Sequence, residues 1–271
     1  MTSANERLTH TQPGSHMSRH AFEHNGLTFS YLDTGGDGRP LVALHGHWME
    51  GLTFAPLAAA LAPGWRVIAL DQRGHGYSDH APSYTRDDYI GDIDALFECL
   101  DLNAAVMLGH SLGGLNAYQF AARYPGRVDA LIVEDVGAEV SVDAGFVLDW
   151  GGCFATREAL AERVGPRFLA AVQDSFRQTP QGWKLAFEPQ DMVVSQNLVN
   201  GNYWADWLAT TCPALLIRGR DSRLTTVSHI EQMAARRPNT RLQVLDGGHV
   251  VHLDNPAGFT KAVKGFLHNL A

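Results

Sequence analysis

The chain has 271 residues, 45% of them hydrophobic, which is enough for one α/β domain with a sizeable core and room for an insertion. A net charge of −8 and the lack of any basic run exclude nucleic acid or an anionic membrane as the main partner, since both need clustered positive charge. Cys99, Cys153 and Cys212 are odd in number, far apart and without C-x-x-C spacing, so reduced thiols in a cytoplasm are expected, not a disulfide frame or a zinc site. No apolar h-region precedes a cleavage-type site and no apolar run approaches the roughly 18 residues of a span, so neither secretion nor membrane insertion is expected.

Residues 1–17 are polar and aperiodic and read as a disordered tail, in which Gly14-Ser15-His16-Met17 looks like a protease-site scar from an expression vector. Two alternating runs then flank Asn25-Gly26, a strong hairpin signal. A short apolar strand at 41–44 runs into His45-Gly46-His47-Trp48, a helix is expected over 54–61, and a strand over 65–70 ends at Asp71. A helix over 87–100 carries Ile90, Ile93, Leu96 and Phe97 on one face, and strands follow at 105–108 and 130–134. The strand rhythm stops over 138–212, where helices at 157–163, 167–176 and 193–208 predict a helical cap over the sheet edge. It resumes with strands at 214–218 and 241–245, a helix at 227–235 and a last helix at 256–269. The core is thus 18–137 with 213–271, a parallel sheet covered by helices on both faces, with function expected at the carboxyl ends of its strands.

One such end carries Gly109-His110-Ser111-Leu112-Gly113, an apolar strand passing through G-x-S-x-G into a helix. The glycines are needed because so sharp a turn brings strand and helix backbones together, and the turn leaves free N–H groups beside the Ser111 hydroxyl. A serine hydroxyl is a poor nucleophile at neutral pH, so one of the thirteen histidines must take its proton. His249 is the choice, because it lies in a Gly-Gly-His-Val loop after the strand ending at Leu245. His252 competes; His110 reads as packing beside the site and His75 as part of a structural loop. No H-E-x-x-H occurs, and the H-x-x-x-H spacings join His16, His20 and His24 on tail and strand, so no metal and no cofactor is expected.

With His45-Gly46 after the third strand, Asp71-Gln-Arg-Gly-His-Gly-Tyr-Ser-Asp79, the Gly109 to Gly114 elbow, the insertion and Gly247-Gly-His249 in this order, the chain resembles the α/β-hydrolase superfamily over nearly its whole folded length. The resemblance implies a mostly parallel eight-stranded sheet, with an oxyanion hole made by the backbone N–H groups of His47 and Leu112. It also implies an acid behind His249, and here the sequence departs from the commoner pattern. The position three residues after Gly219 at the end of the seventh strand is Ser222, not aspartate. Some members carry the acid at the end of the sixth strand, where Asp135 stands; Asp221 is the alternative and Glu134 the third. His45, Trp48, His110, Trp150 and Trp204 are the candidate substrate-pocket residues.

These features predict a cofactor-independent serine hydrolase acting on a small molecule, with a carboxylic ester or lactone as the leading substrate class. The shifted acid and Arg218-Gly-Arg-Asp-Ser-Arg-Leu224 are similar to the amidohydrolases that open acetamidomethylene succinate, which makes amide or enamide hydrolysis a rival. Carbon–carbon bond hydrolysis uses the same triad, but the Asn-Ser-Met-Gly elbow of that group is lacking. Superfamily members that serve as low-turnover small-ligand receptors are the remaining alternative.

Overall fold

The computed structural model describes residues 17–270; the tail 1–16, with most of the tag-like tetrapeptide, lies outside them. Met17, the last residue of the expected tail, is buried against the core. Eight strands form the main sheet: β1 (Ser18–His24), β2 (Leu27–Asp33), β3 (Arg39–Leu44), β4 (Trp65–Leu70), β5 (Ala105–His110), β6 (Val128–Glu134), β7 (Ala214–Gly219) and β8 (Thr240–Leu245). Their spatial order is β1-β2-β4-β3-β5-β6-β7-β8, with β2 antiparallel to both neighbours and every other pair parallel. The first hairpin turns at Asn25 and Gly26, both at positive φ (51° and 76°), as a two-residue loop matched to strand twist requires.

Alternation along the central strands feeds two cores. Val42, Leu44 and Met107 face one side with α2 (Arg86–Cys99), α3 (Leu112–Arg123) and α8 (Val227–Arg236). Leu41, Ala43, Val106 and Leu108 face the other with α1 (Ala55–Leu61) and α9 (Pro256–His268). Helix α2 starts where expected because Thr85 caps it: the Thr85 hydroxyl accepts the Asp88 N–H and the Asp88 carboxylate accepts the Thr85 N–H.

Residues 138–212 leave the sheet and carry α4 (Arg157–Val164), α5 (Pro166–Val172), α6 (Pro189–Val199) and α7 (Trp204–Leu208). Two expectations fail here. The helix expected over 167–176 stops at Val172, and Phe176–Thr179 instead pairs with Gly182–Leu185 as an antiparallel hairpin around Pro180-Gln181. That hairpin's period-2 alternation is short and was masked by helix-forming residues before it. The helix expected over 193–208 is two: α6 ends at Val199, and Gly201–Asn202 pairs with Glu139–Val140 before α7 begins. The insertion sits on the carboxyl ends of the strands, where Tyr84 donates to Asp191 (2.9 Å), Gln119 to Asp206 (2.7 Å) and Arg177 pairs with Glu50. Among the described residues no helix is long and apolar enough to cross a membrane.

Candidate active site

Ser111 ends β5 at φ 52°, ψ −117°, a conformation that a side chain adopts only under constraint. The constraint is packing. A Cβ on Gly109 would lie 2.1 Å from the Gly113 carbonyl oxygen, and one on Gly113 would lie 2.1 Å from that of Leu44. The Ser111 N–H donates to the Glu134 carbonyl (2.9 Å), locking the elbow to β6. The loop after β3 runs directly past it, since a Cβ on Gly46 would come within 3.3 Å of the Ser111 Cβ. Among the described residues the backbone N–H groups of His47 and Leu112 donate to no acceptor, which leaves two donors beside the serine.

On the neighbouring strand, Asp135 also takes a left-handed backbone (φ 48°), its N–H donating to Ile217 O (2.8 Å). Its buried carboxylate accepts the Nδ1–H of His249 at 2.7 Å, the Thr225 hydroxyl at 2.9 Å, the Gly219 N–H at 3.3 Å and the Ser222 hydroxyl. Because a carboxylate only accepts, Nδ1 carries the proton, and in the neutral tautomer Nε2 is the ring's acceptor. His249 is held from behind as well: His110 donates its Nε2–H to the His249 carbonyl (3.0 Å), with the two ring centroids 4.6 Å apart. His110 is the residue before Ser111, so serine and imidazole flank one ring. Ser111 Oγ and His249 Nε2 are not hydrogen-bonded to each other here, and such contacts commonly tighten only on substrate binding.

The model of the alpha/beta hydrolase family matches residues 41–262, which spans this entire arrangement. The chain belongs to the alpha/beta hydrolase family. A 2-(acetamidomethylene)succinate hydrolase of Mesorhizobium japonicum is 26% identical to it over 250 residues, 86% of this chain and 89% of the relative. An sn-1-specific diacylglycerol lipase of Danio rerio is 27% identical, covering 89% of this chain and 82% of its own. The crystal structure of E-2-(acetamidomethylene)succinate hydrolase shares the fold at a TM-score of 0.84 and 24% identity, over 93% of this chain and 100% of the other.

Within this alpha/beta hydrolase, the other sequence candidates separate. Asp221 is exposed and engages Gly247 only through its backbone N–H, so it does not meet the imidazole. Ser222, at the commoner acid position, donates its hydroxyl to Asp135. His45 is not a pocket wall: it is fully buried, its Nε2 accepts the Gln72 N–H (3.0 Å), and its Nδ1 therefore donates to Gly46 O (2.8 Å). Burial lowers its pKa, as it does for His75 and His110, so these rings stay neutral. His110 is likewise buried, its ring against those of His249 and His252. Trp48, at φ 70°, packs its indole edge-on against Phe146, Trp150 and Phe168 at 5.5 to 5.9 Å, so Trp48 and Trp150 do meet. Trp204 is elsewhere, on the seam with α8, hydrogen-bonded to Glu139 and covered by Arg236 and His229.

Sequence reasoning missed two polar arrangements. His47 Nε2 meets Ser195 Oγ of α6 at 2.9 Å, and Ser195 Oγ meets Tyr89 OH at 2.8 Å; burial first, then the charges of Arg86 and neighbouring histidines, lowers the His47 pKa to about 3. Glu134 and His252 form a second buried carboxylate–imidazole pair. The only sequence signals were the doubled acid Glu134-Asp135 and the doubled histidine His249/His252, and neither indicates pairing by itself.

Proposed function

We propose that this alpha/beta hydrolase is a cofactor-independent serine hydrolase cleaving a small carboxylic ester or lactone. What carries the reading is the hydrogen bond from His249 Nδ1 to Asp135, which fixes the tautomer whose Nε2 can deprotonate Ser111. Ser111 Oγ attacks the carbonyl carbon as its proton passes to His249 Nε2, and the oxyanion is met by the N–H groups of His47 and Leu112. Collapse expels the alkoxide, which takes the proton from His249 and leaves an acyl-serine. Water then gives a proton to His249 and its oxygen to the acyl carbon, and the acid departs as Ser111 is restored. Asp135 stays ionised and offsets the imidazolium in both halves. Leu112 begins α3, so the helix dipole adds to the same stabilisation.

A second reading, hydrolysis of an amide or enamide of a small acid, is favoured by the similarity to the Mesorhizobium japonicum enzyme. The two differ in the leaving group, since an amine must be protonated as it departs. A panel of p-nitrophenyl esters, lactones and N-acyl enamines compared by kcat/KM tests them: ester or lactone turnover that vanishes in Ser111→Ala supports the first, and a dominant enamide rate the second. Ser111-independent turnover, or tight binding with negligible turnover, would refute both.

A further inference from the structure

The proposed mechanism employs Asp135 and leaves its neighbour Glu134, a carboxylate with 0% exposure, without a task. Glu134 Oε1 accepts the backbone N–H of His252 at 2.9 Å, and its two oxygens lie 2.8 and 3.0 Å from His252 Nδ1. His252 Nε2 in turn meets the Thr53 hydroxyl at 2.7 Å. Hydroxyl, imidazole and carboxylate stand in the same order as in the triad, yet this set is no second active site. His252 and Thr53 are only 6% and 7% exposed, and the His252 ring is enclosed by Phe54, Phe259 and His110 at 5.1 to 5.7 Å. Substrate has no approach.

Its importance lies in what it connects. The Glu134 backbone carbonyl holds the Ser111 N–H, and the next residue is the acid that holds the His249 ring. Through His252 the Glu134 side chain grips the loop three residues beyond the base. Through Thr53, whose N–H donates to Glu50 O (3.1 Å), the chain of bonds reaches the turn that follows the His47 loop. The upstream side of the base loop is Gly247-Gly248, with Gly247 at φ 132°, and its restraints come from other segments. The Gly248 N–H donates to Asp254 (2.7 Å) and Gly247 O accepts the Asp221 N–H (2.9 Å), while Glu134 holds the downstream side. A carboxylate buried this deeply is tolerated only when its oxygens are bonded, so its partners are held as firmly as it is.

We propose that Glu134 is a positioning residue, the node that keeps the nucleophile, base and oxyanion segments in register through His252 and Thr53. The proposal rests on the serine-hydrolase reading above. The test compares wild type, Ser111→Ala, Glu134→Ala, Glu134→Gln and Thr53→Val. Active sites are counted by the p-nitrophenolate burst from diethyl p-nitrophenyl phosphate, and kcat and KM are measured on p-nitrophenyl acetate. Misplacing a catalytic group by about 1 Å costs on the order of 100-fold, so Glu134→Ala should lose about that factor in kcat per titrated site with KM changed less than about threefold. Glu134→Gln, whose amide oxygen still accepts the His252 N–H, should recover to within about tenfold of wild type. Thr53→Val, which cuts the far end only, should lose about fivefold. The downfield proton resonance of the His249–Asp135 bond should broaden or shift in Glu134→Ala and persist in Glu134→Gln. Folded Glu134→Ala turning over at the wild-type rate per titrated site would overturn the proposal; if that variant does not fold, an unchanged kcat in Thr53→Val overturns it. A wild type that gives no burst would remove the serine reading itself, and this inference with it.

Discussion

At the level of single residues, Asp135 and Asp221 differ in whether the carboxylate is buried with all its acceptors satisfied. Asp135 meets that condition with donors from His249, Thr225, Gly219 and Ser222, whereas Asp221 stays in solvent. Asp135→Asn is expected to lower kcat by about 10⁴, because the amide favours the wrong imidazole tautomer, while Asp221→Asn should stay within about twofold. Steady-state kinetics on one ester checks both. Ser222 already touches the oxygen that holds His249, so a carboxylate at 222 has the imidazole within reach. Asp135→Asn/Ser222→Asp is therefore expected to regain at least about tenfold over Asp135→Asn alone. Failure of the double variant to exceed the single one would show that the sixth-strand position is required.

Elements matter through how closely they approach. The elbow brings α3 against β3 and β5 with no space for a methyl group, so Gly113→Ala must push the Leu44 carbonyl aside. A loss of about 3 kcal/mol is expected in urea denaturation, together with loss of the Ser111 burst, since backbone cannot yield as a side chain does. The insertion is tied down by Trp207 of α7, which is 0% exposed, donates its indole N–H to Met233 O (3.0 Å) and stands edge-on to Tyr118 at 5.7 Å. Trp207→Ala should cost about 4 kcal/mol by the same measurement, a value set by the cavity left between α3, α7 and α8.

For the molecule as a whole, the contact between sheet and insertion carries a pH dependence. Glu50 is buried between Arg177 of the insertion and Arg19 of β1, beside Asp71; burial and the Asp71 charge outweigh the arginines and push its pKa up to about 7. A carboxyl raised on folding binds its proton more tightly in the folded chain. Its contribution to stability is therefore complete below the ordinary value near 4.5 and is lost as pH rises through about 7. That amounts to about 3 kcal/mol at most. The stability of Glu50→Gln relative to wild type should thus climb between about pH 5 and pH 8; a flat difference would contradict it. The buried His45, His47, His75 and His110 act in the opposite direction, since their lowered pKa values withdraw stability as pH falls below the ordinary histidine value of 6.5. Comparison with the variant isolates Glu50 from them.

Much of the fold was legible because it is written in short range. The Asn25-Gly26 turn, the apolar runs of β3 to β6 and the glycines around Ser111 each answer to neighbours within a few residues, and each appears where it was read. Ser111 and Asp135 were likewise marked by their places at the ends of adjacent strands. What the chain alone left open was everything that depends on contacts across long separations. The partners that bury the Asp135 carboxylate, Ser222, Thr225 and His249, are all more than 80 positions away, and the pairing of Glu134 with His252 spans 118. The hairpin at 176–185 is anchored by Arg177 on Glu50 and by the Phe154–Trp183 bridge, and the break before α7 by pairing with Glu139–Val140, contacts that override local helix propensity. Periodicity records which face of an element is buried; only the closed structure decides which buried polar groups find one another.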